Sequence, residues 1–138
     1  MQDKVFRYSA AAVLAHAVVI VPHGLAHAGE RAYLSPAANA FVGLVIVLAP
    51  FVALALIRAR RAWPGALLLF AAMLGALLFG LAYHYMLPGP DHVAHVPGGP
   101  WQLPFQITSA LLVATEAAGT AVGAWALLVT RRAAARSA

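Results

Sequence analysis

Four long apolar runs dominate the chain, separated by breaks rich in basic residues, Pro or Gly. They cover about residues 5–27, 36–57, 64–86 and 105–130, and each reaches the ~20 residues that a helix needs to cross a bilayer core. No stretch alternates apolar and polar residues with period 2, so a transmembrane barrel is not expected. Ser35-Pro36, Trp63-Pro64 and Leu103-Pro104 each place Pro near a first helical turn, where its missing N–H is not needed. Pro22 and Pro50 fall inside runs and should kink them. The pattern predicts one all-α domain, an integral membrane four-helix bundle with a long loop between helices 3 and 4. That loop, residues 87–104, "LPGPDHVAHVPGGPWQLP", has five Pro and three Gly, which favours a folded-back cap.

Charge turns the pattern into a topology. Only 9% of the chain is charged, against the ~25% usual in globular proteins. Eight of its nine basic residues flank the runs on one side: Lys4, Arg7, Arg58, Arg60, Arg61, Arg131, Arg132 and Arg136. Arg31 is the exception. The positive-inside rule then predicts cytoplasmic N- and C-termini and an outward-facing long loop. Trp63, Trp101, Tyr33, Tyr83 and Tyr85 fall near helix ends, as an interfacial belt would place them. The net charge of +5 is explained by orientation, so no nucleic-acid partner is expected. The expected surroundings are a lipid bilayer, as in a bacterial inner membrane, with a homo-oligomer or larger membrane complex as further partners. A competing reading takes residues 1–28 as a signal peptide cut after Ala28, which would leave three spans. The full span length of the first run and the presence of His16 and His23 within it argue against cleavage.

Candidate chemistry rests on histidine. With no Cys, thiolate sites and disulfides are excluded. By this topology His23, His27, His84, His92 and His95 all lie at the outer face, together with Glu30 and Asp91. At ~100° per residue, His16, His23 and His27 share one face of helix 1 within about 40°. His27 and His84 each lie about twenty residues from the basic ends of parallel helices, so their depths match. Converging imidazoles beside a carboxylate suit copper or zinc rather than magnesium. His23, His27 and His84 are the expected inner ligands. His92, His95 and Asp91 are expected as entry or capping ligands, with Glu30 behind them.

Deeper in the bundle, His16 and Glu116 are each about eleven residues into their helices, which predicts a mid-membrane polar pair. Gly119 and Gly123, in "GTAVG", are spaced for close helix packing. No phosphate loop, dinucleotide fingerprint, nucleophile elbow or H-E-x-x-H occurs, so an enzyme is not the expected reading. The leading expectation is a metal-handling protein or an accessory to a membrane enzyme. A haem b electron carrier with axial His27 and His84 is an alternative. A ligand-free structural or assembly subunit and a proton-coupled transporter complete the set.

Overall fold

A computed structural model describes residues 2–135; Arg136 lies outside them. Four helices, α1 (Gln2–Glu30), α2 (Pro36–Arg58), α3 (Ala62–Met86) and α4 (Gln102–Ala135), are each long and apolar enough to cross a membrane. The described residues contain no strand. The helices overrun the predicted limits because their polar ends, Gln2–Lys4 and Thr130–Arg132, stay helical. Pro36 opens α2 behind Ser35, whose side chain accepts the Ala38 N–H at 3.2 Å. Beyond α1, Arg31 takes the left-handed conformation (φ 55°) and the Ala32 N–H bonds back to the His27 carbonyl at 3.1 Å.

Going round the bundle, α4 packs against α1 and α3, and α3 against α2. Three clusters stack along the axis. Val5, Ile57, Ala66 and Ala126 fill the end that carries the exposed basic residues. Val13, Ala53, Leu69 and Met73 fill the middle, and Ala26, Ala32, Val96 and Phe105 the histidine end. A Cβ on Gly123 would come within 2.7 Å of the Phe70 backbone, so glycine there lets α4 close on α3. Opposite the buried Ser9–His16–His23 stripe, α1 exposes Leu14, Val18, Val21 and Leu25, an apolar stripe that hydrocarbon rather than water accommodates.

The two internal prolines are handled differently. Pro22 lies inside a continuous α1. Pro50 follows a π-helical stretch, Val42–Leu48, and a second π turn, Ala82–Met86, ends α3. Residues 87–101 fold back over the histidine end. The Val93 N–H bonds the His84 carbonyl at 3.0 Å, Val96 is buried in the end cluster, and the Trp101 indole occupies the space a Cβ on Gly29 would take.

Candidate metal centre

His23 and His27 are successive turns of one face of α1, and the π turn of α3 brings His84 against them. The His23 ring centroid lies 4.6 Å from that of His27 and 4.9 Å from that of His84. Phe105 of α4 packs against all three rings at 5.0–5.6 Å. One ring nitrogen from each imidazole lies within 4.8 Å of those of the other two. The folded-back loop adds Asp91, with Oδ1 3.1 Å from His27 Nε2 and Oδ2 3.4 Å from His84 Nδ1.

Hydrogen bonding assigns the tautomers. His27 Nδ1 lies 3.0 Å from the Ala32 carbonyl and His84 Nδ1 lies 3.0 Å from the Asp91 carbonyl. A carbonyl only accepts, so both Nδ1 atoms carry the proton. His23 Nδ1 lies 3.0 Å from Thr108 Oγ1. That hydroxyl donates its one proton to the Pro104 carbonyl at 2.7 Å, so it must accept from His23 Nδ1–H. Every ring therefore donates from Nδ1 to an oxygen and keeps its lone pair on Nε2.

This leaves an electrostatic deficit. His23 Nε2 and His27 Nε2 are 3.0 Å apart with no proton left to place between them. Both Asp91 carboxylate oxygens are buried without a hydrogen-bond donor. Burial raises the Asp91 pKa above the ordinary carboxylate range, opposed by the attraction of His84 and His27. A cation at the centre of the cluster relieves all of this at once. Two nitrogens bound at 2.0–2.1 Å to a tetrahedral ion are about 3.3 Å apart, close to the separation found. A proton on His27 Nε2 would serve His23 and, at 3.1 Å, Asp91 Oδ1, but would leave the His84 Nε2 lone pair unused. Outer N–H bonds to carbonyl and hydroxyl oxygens are what metal-ligating imidazoles use to fix their orientation.

The other candidate residues are placed apart from the three rings. His92 Nδ1 accepts the Ala94 N–H at 3.1 Å and its Nε2 donates to the Tyr85 carbonyl at 3.2 Å, so neither nitrogen is free. His95 stacks on His92 at 4.4 Å. Glu30, the last residue of α1, is buried and does not join the three-histidine group. The His27 and His84 ring centroids are 5.7 Å apart, and His23 and Phe105 each pack against both.

His16 and Glu116 do not form the expected hydrogen bond. Val5 clusters with Ala126 and His23 bonds Thr108, so His16 is level with residue 115, beside Glu116. Side chains lean toward the N-terminus of their own helix, and α1 and α4 are antiparallel. His16 therefore leans toward the basic end and Glu116 toward the histidine end. Glu116 Oε2 has no hydrogen-bond partner and lies 3.2 Å from where a Gly80 Cβ would stand, one turn from His84. Both His16 ring nitrogens are likewise buried without a hydrogen-bond partner.

Thr108 escaped the sequence reading. Its signal is weak, because a hydroxyl in the first turns of a span ordinarily bonds its own backbone. Comparison with known proteins finds no matching family model, curated protein or solved structure.

Proposed function

We propose that this chain is an integral membrane protein of a bacterial inner membrane that holds one copper or zinc ion at its outward-facing end. His23, His27 and His84 supply Nε2 ligands and Asp91 a carboxylate oxygen. The role is metal handling or support of a larger membrane enzyme. The observation that carries this reading is the cluster itself: three imidazoles, two buried and one half-buried, bring ring nitrogens within 4.8 Å of one another beside the buried Asp91 carboxylate. Nitrogen-rich ligands favour copper or zinc over magnesium or calcium. The outward placement follows from the basic residues at the opposite end of every span.

Metal analysis of protein purified without a His tag and loaded with copper or zinc tests the reading. Wild type should retain close to one ion per chain after desalting, and a His23→Ala/His27→Ala/His84→Ala variant should retain none. Equal retention by the two would end the proposal.

A further inference from the structure

α1 packs against Ala49–Arg58 of α2 and parts from the other half of that helix. Val13, Ala53, Leu69 and Met73 close the wedge at its narrow end. Above them it holds a cavity of about 310 Å³, at the small end of the range for ligand sites. Ile20 of α1, Val42 and Ile46 of α2, Phe79 of α3 and Leu112 of α4 form apolar walls. The π turn of α2 supplies two of these positions, and π turns recur at functional sites. His23 and Asp91 line the cavity at the metal-centre end and Glu116 lines it deep in the bundle. Gly24 of α1 lines it and Gly43 of α2 follows the lining residue Val42; an added Cβ at either glycine would meet nothing.

Glu116 is the feature that packing leaves unexplained. It is 2% exposed, its Oε2 has no partner, and it lines the cavity among the apolar walls of Ile20, Ile46, Phe79 and Leu112. A buried acceptor without a donor is costly, so a ligand that brings one gains there. The mouth lies between two membrane-crossing helices, so the ligand comes from hydrocarbon rather than water. An ammonium head would have to shed a strongly bound hydration shell on this route, whereas a hydroxyl sheds far less.

We propose that this chamber binds the head of a hydroxyl-bearing, membrane-soluble amphiphile, a long-chain alcohol or a quinol, which enters between α1 and α2 and donates its hydroxyl to Glu116. The apolar walls receive the carbon next to the hydroxyl, and the tail stays in the bilayer. The inference rests on the membrane-spanning reading and does not require the metal ion.

The test uses the full chain in lipid nanodiscs and a decanol carrying a diazirine on its chain. Photolabelling should fall on Ile20–Gly24 and Val42–Ile46, and excess dodecanol or a decyl benzoquinol should suppress it. The stronger of these two competitors identifies the source of the hydroxyl. Glu116→Leu should weaken labelling about tenfold, the loss of one buried hydrogen bond. Ile46→Trp, which fills the chamber and keeps Glu116, should abolish it. Labelling should persist in chelator-stripped protein, so failure of the metal reading and failure of this one are separable. Equal competition by dodecane or by dodecylamine would overturn the proposal, as would labelling that ignores both substitutions.

Discussion

Thr108→Val tests the tautomer argument without touching a ligand. Valine matches the shape of threonine but offers no acceptor, so His23 Nδ1–H loses its 3.0 Å partner. His23 is only 5% exposed, so water does not readily replace the hydroxyl. The unpaired donor should destabilise the apo-protein by about 1–3 kcal/mol. In the loaded protein the ring loses the bond that aims Nε2 at the ion, a change that typically weakens metal binding 10–100-fold, or about 1.4–2.7 kcal/mol. Competition titration against chromophoric chelators for zinc and copper(I) reads this directly. Thr108→Ser keeps the hydroxyl and should restore most of the affinity. Thr130→Val is the matched control: its hydroxyl also bonds backbone carbonyls, at Ala126 and Leu127, but serves no imidazole. If Thr108→Val binds both metals as tightly as wild type, the hydroxyl does not orient His23 and the assignment of the His23 tautomer fails. If Thr108→Ser is as weak as Thr108→Val, the effect lies in packing.

Three further outcomes follow from the same geometry. Asp91→Asn should weaken metal binding at least ~10-fold while leaving the apo-protein no less stable in thermal unfolding, because an amide is easier to bury than an unpaired carboxylate; a fall in apo stability with unchanged affinity would remove Asp91 from the ligand set. His16→Leu should leave thermal stability unchanged or raise it, because it removes two buried ring nitrogens that have no hydrogen-bond partner, and should leave metal binding intact; a clear loss of stability would show that the ring makes a polar contact. The chain has no Cys, so single cysteines report topology cleanly: Gly98→Cys should react with a membrane-impermeant maleimide on intact cells and Arg60→Cys should not, and the reverse pattern would invert the orientation.

The four helices were legible because a membrane span is written in composition and length, which survive without knowledge of packing. The shared face of His23 and His27 was legible for the same kind of reason, since a four-residue step needs only helix geometry. His84 could be matched to His27 in depth by counting residues, but its seat against His23 depends on a π turn that no residue between Ala82 and Met86 announces. The "DHVAH" stretch shows the limit most clearly. Spacing made Asp91, His92 and His95 look equivalent, yet the turn chemistry of the loop divides them. Val93 N–H ties the loop to the His84 carbonyl, Asp91 is carried inward over the rings, and both His92 nitrogens are taken up by backbone groups. The His16–Glu116 pairing failed for a reason that sequence alone contains. Residues at equal depth on antiparallel helices lean in opposite directions, so equal depth of Cα atoms is the wrong criterion for side-chain contact. With lean included, Glu116 moves toward the histidine end and His16 toward the basic end. Two ionisable groups that looked like one site thus separate along the bundle axis, and their substitutions should separate too: Glu116 variants should change ligand labelling and His16 variants should not.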